Sequence, residues 1–303
     1  LFVDTRVVRS GGVGRAIIKE HHTGLARVER DGRPRPLPER VEDSADRSGG
    51  HEIVEWIQGL GFAEAIETVA TISGPDRERL RRGGEMNRAI ARHGLSLFPE
   101  SFVNLMGVDQ MTRISRLVCA GVYARMCGED YTVMTLAGSG NKGITVSVPL
   151  TLWGRELLVD EEKVDEALAL ACIVTSQTTL RLGTLSAVCG CSNAAGIGLA
   201  AGLVLLQGGG ADEISLAVNN MVGNVTGMIC DGAKIGCGLK TMTSVDAAYR
   251  ASTLAMAGIG IPATDGIVRA DGAGSLDNLE RIARHGMASM DAEILKIMQE
   301  KLR

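Results

Sequence analysis

Cysteine is the residue type in this chain whose spacing suggests chemistry. Cys191 lies in a run of small residues, GTLSAVCGCSNAAGIG, while Cys230 and Cys237 bracket a glycine-rich stretch, GMICDGAKIGCGLK, that also holds Asp231 and Lys234. Two thiols on one tight loop and a third remote in sequence suit an iron–sulfur cluster better than a disulfide, because soft thiolates are the ligands such clusters take. Three protein ligands would leave one iron open to a substrate, which points to catalysis rather than electron transfer. Gly232, Gly236 and Gly238 would let the backbone close around an occupant and leave amides free to bond sulfides. A plainer reading stands beside this one: free cysteine often behaves as a small buried hydrophobe. That reading is preferred for Cys119, Cys127 and Cys172, which sit in apolar helical runs. The seven cysteines include no C-x-x-C pair, so neither a zinc ribbon nor a thioredoxin-like site is supported.

GMICDGAKIGCGLK, CGCSNAAGIGLAAGLVLLQGG, NNMVGNVTG and AGSGNKGI together closely resemble the iron–sulfur L-cysteine desulfidase family, itself related to the catalytic alpha chain of iron–sulfur L-serine dehydratases. The resemblance runs from about Leu136 to the C-terminus. It is weaker over the first half, where KEHHTGLARVERDG looks like the family's His-Thr strand pair. CDGAK-x-x-C is its most specific piece. The resemblance implies a [4Fe–4S] cluster on Cys191, Cys230 and Cys237. Cys189 is the alternative to Cys191, which is preferred for the Gly-Cys-x-x-x-x-Gly pattern of the serine dehydratases. It also implies α,β-elimination of L-cysteine to pyruvate, ammonia and sulfide. The alternatives are L-serine as substrate, or a non-catalytic cluster-binding or regulatory protein. The family's Pro-Ala-x-Gly-Cys-Thr-Glu-Pro-like motif, which carries the proposed base cysteine, has no counterpart in these residues, so no base is assigned. Lys142 stands where the family pattern leads one to expect Gln or His.

Elimination from an amino acid needs a held carboxylate and assistance to the leaving group. For the carboxylate, the AGSGNKG segment offers Ser139, Asn141, Lys142 and the amides around Gly140 and Gly143 as an anion-binding nest. A turn without a ligand would explain the same residues. His22, with His21 and Thr23, is a further candidate substrate contact, or part of a surface strand pair. Asn220 and Asn224 share a helical face with Asn219 beside them, and their amides need partners, substrate or structural. Asp231 and Lys234 are placed to pair and order their loop. A pyridoxal-phosphate enzyme, with Lys142 as its lysine, would perform the same net reaction. The strand–helix alternation of such folds is missing.

These residues must be positioned mainly by helices. Residues 1–48 read as a small α+β piece and linker, with two alternating runs around charged turns and then the Pro- and Gly-rich DGRPRPLPERVEDSADRSGG. Residues 49–303 read as a large helical, cluster-binding catalytic domain. Asp160, Ser275 and Ser289 are expected helix caps, with Gly286 a stop. Between Glu166 and Asp212 the only formal charge is Arg181, and LSAVCGCSNAAGIGLAAGLVLL is long enough to cross a bilayer. Its Ser, Asn and Cys content, and the lack of basic flanks or an aromatic belt, favour a fully buried central helix instead. A formal net charge of −4 with scattered Lys and Arg gives nucleic acid no foothold. An odd number of cysteines without a regular framework fits a reducing, cytoplasmic setting. The expected partners are a small amino-acid substrate and further copies of the chain, with no membrane.

Overall fold

The structure is a computed structural model that describes residues 2–19, 25–37, 47–101, 109–183 and 185–301. His21, His22 and Thr23 lie outside the described residues. The chain divides into two compact units, Leu1–Ile53 and Val54–Arg303.

The first unit contains a four-stranded antiparallel sheet in the order β1 (Phe2–Arg9), β2 (Gly12–Lys19), β3 (Leu25–Arg30), β4 (Arg33–Arg35). Asp31 and Gly32 connect the last two strands with φ of 52° and 75°, the left-handed pair that a tight hairpin of this hand requires. Asp31 also accepts a 2.6 Å hydrogen bond from the Val13 amide. Arg15 binds the carboxylate of Asp4 through two nitrogens, at 2.8 and 2.6 Å, tying β1 to β2. The Pro-rich stretch expected as linker therefore supplies a short edge strand, where Pro34 is tolerated because an edge needs no second donor.

The second unit is helical, as the periodicity requires. After α1 (Arg47–Gly59) come α2 (Phe62–Ala70), α3 (Gly74–Leu95), α4 (Gln110–Cys127), α5 (Gly140–Glu156) and α6 (Glu161–Leu182). They are followed by α7 (Asn193–Leu206), α8 (Ala211–Val225), α9 (Cys237–Met256), α10 (Gly272–Arg281), a π turn (Ile282–Gly286) and α11 (Met290–Glu300). The apolar stretch around Cys191 splits into a loop and α7. All but one residue of that helix are buried, and α5, α6, α8 and α9 surround it. An apolar helix enclosed on every side explains the missing charges. Among the described residues, no helix is long and apolar enough to cross a membrane. Small residues set the spacing: a Cβ on Gly198 would strike Thr175 and the Ala171 carbonyl of α6, and one on Gly196 would strike Ser244 of α9.

The expected helix ends are met in position more than in chemistry. Asp160 precedes α6, with Glu161 and Glu162 favourably placed in the first turn, but its side chain makes no cap bond. Ser289 precedes α11, likewise without a cap bond, and the π turn ends at Gly286. Ser275 is not a cap. Asp271 caps α10 by accepting from the Gly274 amide at 2.7 Å, and Ser275 lies buried one turn inside. There its hydroxyl donates to Asn219 at 2.6 Å and accepts from the Arg269 amide at 2.8 Å.

Candidate functional site

The site is built where two loops and the start of one helix meet. The first loop runs from α6 to α7 and the second from α8 to α9, and they are joined by an antiparallel bridge between Val188 and Ile229. The Cys189 amide donates to the Met228 carbonyl at 2.8 Å, and the Cys230 amide donates to the Ala187 carbonyl at 2.7 Å. Asn193 reinforces the junction, its amide reaching the Cys189 and Met228 carbonyls at 3.3 and 3.4 Å. This pairing brings together thiols that lie far apart in sequence.

Cys189 lies close enough to Cys191 and Cys230 for the three thiols to shift one another's ionisation, and Cys237 lies within electrostatic reach of Cys191. Cys237 opens α9, and its sulfur accepts from the Lys234 amide at 3.4 Å. The Cys189 thiol beside it does most to lower Cys191, with the Ser139 hydroxyl and Lys142 also helping; against burial, they bring it to about 7. Cys189 is raised, chiefly by Cys191, and Cys230 is raised by Cys189 and by burial. Of Cys189, Cys191 and Cys230, Cys191 ionises first. By contrast, burial alone pushes Cys119 up to about 11 and Cys172 up to about 12, as inert packing thiols behave. Cys127, at the end of α4, is exposed rather than packed.

The third component is the turn before α5. The Leu136 and Ser139 backbones bond each other in both directions, which forces positive φ on Ala137 (45°) and Gly138 (78°). Glycine accepts this conformation freely, whereas at Ala137 it is strained, and such strain gathers at functional sites. The turn aims the Ala137 carbonyl at Lys142, whose ammonium donates to it at 3.1 Å and to Thr179 Oγ1 at 3.0 Å. The turn also sets Ser139 Oγ 3.5 Å from Cys191 Sγ. Lys142 is only 5 % exposed, and burial lowers its pKa against the opposing pull of the Cys191 and Cys189 thiols. A buried ammonium with three donors, two of them used internally, has one left for an anion.

Ser139, Lys142, Cys191 and Cys230 line one cleft of about 310 Å³, walled by Leu182, Leu185 and Val188, with Asp291 of α11 at its side. Gly140 and Asn141 fall in the first turn of α5 and do not line it. Asn141 is instead spent on α4, accepting from Arg125 at 3.0 Å and donating to the Met126 sulfur at 3.6 Å. The glycine-rich segment is a strained turn feeding a helix N-terminus; the turn lines the cleft, and Lys142 enters the site from that helix. Asn219 and Asn220 belong to a structural network. The Asn219 amide donates to the Arg269 carbonyl at 3.0 Å, and Asn220 bonds Ala251, Ile259 and Ile261 between 2.9 and 3.3 Å. Sequence reading missed Thr179 and Lys240. Thr179 sits in an apolar helix and carries no sequence signal; Lys240 closes the GMICDGAKIGCGLK segment three residues after Cys237, and that place beside the thiols is the signal that marks it.

Among the described residues, no group of three His, Cys, Asp or Glu is drawn closely enough to hold a single metal ion. A four-iron cluster is wider than one ion and sets its thiolates further apart. The donor set itself is all sulfur, with backbone amides and a lysine around it. Softness therefore fits an iron–sulfur cluster and not a hard cation.

A family model described as serine dehydratase alpha chain matches residues 55–296. The chain belongs to the serine dehydratase alpha chain family. Curated relatives extend the likeness across the whole chain. A UPF0597 protein of Desulfatibacillum aliphaticivorans is 33% identical over 99% of this chain and 71% of its own length. One from Geobacter sulfurreducens is 35% identical with the same coverage. One from Caldanaerobacter subterraneus subsp. tengcongensis is also 35% identical over 99% of this chain and 71% of its own length. Family membership and an all-helical site domain leave the pyridoxal-phosphate reading without support, since the sole sheet among the described residues is antiparallel and lies in the first unit.

Proposed function

We propose that this chain is the cluster-binding part of an amino-acid lyase that eliminates sulfide from L-cysteine, giving pyruvate and ammonia. The observation that carries the reading is the cleft in which Lys142, a buried ammonium with a spare donor, faces an all-thiol set beside Ser139. Cys191, Cys230 and Cys237 would hold a [4Fe–4S] cluster, with Cys189 competing for the place of Cys191 because its thiol lies close to both Cys191 and Cys230. When bound, the cluster supplies a Lewis acid for the leaving group.

The chain's own residues account for the rest of the binding. Lys142 holds the substrate carboxylate with its third N–H, and Ser139 donates a hydroxyl at the same end of the cleft. Leu182 and Val188, both buried, give a soft, apolar wall to a thiol side chain. Loss of a Cα proton and of sulfide from Cβ leaves aminoacrylate. Its imine tautomer takes up water to yield pyruvate and ammonia. L-Serine is the second reading, favoured by the description of the matching family; it would lose water by the same route. A thiolate site of this kind is at home in a reducing, cytoplasmic compartment.

The test is anaerobic purification, iron and sulfide analysis, and pyruvate formation from L-cysteine and L-serine in parallel. A broad visible absorption lost in Cys230→Ala, with pyruvate and sulfide formed from cysteine, supports the proposal. Paired Cys189→Ala and Cys191→Ala variants assign the first ligand. Protein that stays iron-free after anaerobic reconstitution overturns it, and pyruvate from serine alone replaces the substrate.

A further inference from the structure

Lys240 lies in the first turn of α9, on the same helix end as Cys237. Its ammonium reaches back over the loop and donates to the Ile229 carbonyl at 2.9 Å and to the Asp231 carboxylate. Ile229 and Asp231 are the two neighbours of Cys230. One side chain thus ties down both neighbours of one thiol, the first by its backbone carbonyl and the second by its carboxylate, from the helix that carries another thiol. The second oxygen of Asp231 pairs with Lys234, whose own amide donates to the Cys237 sulfur. The two lysines differ in setting: the Lys240 side chain is 23 % exposed and the Lys234 side chain 45 %. Lys240 also faces the Cys189 and Cys230 thiols electrostatically.

We infer that Lys240 is a positioning residue for the cluster, fixing the Cys230 thiol relative to that of Cys237 and setting a positive charge against the thiolates. The inference rests on the cluster reading of this site. A cluster bound by several thiolates is anionic, and its stability and potential respond to nearby charge and to how rigidly its ligands are held. Removing a cation beside it makes reduction harder.

The experiment compares full chains reconstituted anaerobically, reading iron and sulfide per chain, the rate of bleaching in air, and the reduction potential. Lys240→Met is expected to bleach about tenfold faster or more, with less iron bound and a lower potential. Lys240→Arg, which keeps the charge, is expected to restore most of each value, and Lys234→Met, which removes the more exposed of the two cations, is expected to move each value less than Lys240→Met does. Lys240→Gln keeps a donor for the Ile229 carbonyl without the charge, and repeats the comparison if the Met variant does not fold. Wild-type iron content, bleaching and potential in Lys240→Met or Lys240→Gln overturn this inference alone. A wild-type chain that takes up no iron overturns the cluster reading, and this inference with it.

Discussion

The central helix α7 and the Cys230–Cys237 loop adjoin the same site but are held by opposite means. In α7 the backbone ladder is complete, the side chains are small and apolar, and glycines bring α6 and α9 into direct contact. Its position follows from close packing, which tolerates little change in volume. The loop has little core of its own. It hangs from a single β bridge, two lysine–aspartate contacts and the amide bonds to its sulfurs. Packing fixes where the site is, and polar contacts fix how its thiols are presented. The first should govern folding and the second ligand binding.

The largest test of that division is Gly198→Leu. The new side chain would meet Thr175 and the Ala171 carbonyl, and the expected loss of about 3 kcal/mol or more should appear as a lower urea midpoint or as failure to fold. A well-folded variant with wild-type stability would break the comparison. Lys142→Met should act on the other side of it. Metal-free stability should be unchanged or slightly higher, because a buried charge is removed, while kcat/KM for the amino acid falls about 10- to 100-fold. An unchanged kcat/KM would remove Lys142 from substrate binding.

A smaller effect is expected from acid. Burial works to raise the Asp231 carboxyl, but Lys234 and Lys240 outweigh it and hold it at about 2, below its ordinary 3.8. A depressed carboxylate adds stability above its unfolded pKa, and that stability is lost as pH falls from about 4 toward 2. Asp231→Asn should therefore flatten the acid limb of metal-free stability by roughly 1 kcal/mol, measured by urea titration at pH 2, 3, 4 and 6. An unaltered limb would show that the ion pairs do not order the loop. The finest test is chemical. In metal-free protein, alkylation of Cys191 should rise through about pH 7, while Cys119 and Cys172 stay unreactive below about pH 10. Equal reactivity of all three would erase the contrast between site and packing thiols.

Fold class and family were legible in the letters alone. Helical periodicity after residue 50 and the uncharged stretch through α7 are local properties, legible because a fully enclosed helix cannot carry charge. The CDGAK-x-x-C motif marked Cys230 and Cys237 because its residues are contiguous. The tertiary structure decided which remote groups share the cleft. Asn219 and Asn220 look like candidate ligands in a string of letters, and only their partners in α9, α10 and the connecting loops show that they are structural. Asn141 belongs to the same AGSGNKG segment as Lys142, but successive residues on a helix point about 100° apart, and that rotation sends one to Arg125 and the other to Thr179. Thr179 carries no motif and Lys240 only closes one; they matter because Lys142 reaches the first and the second reaches back over the Cys230 loop. Side-chain direction and long-range hydrogen bonding arise only when the elements pack.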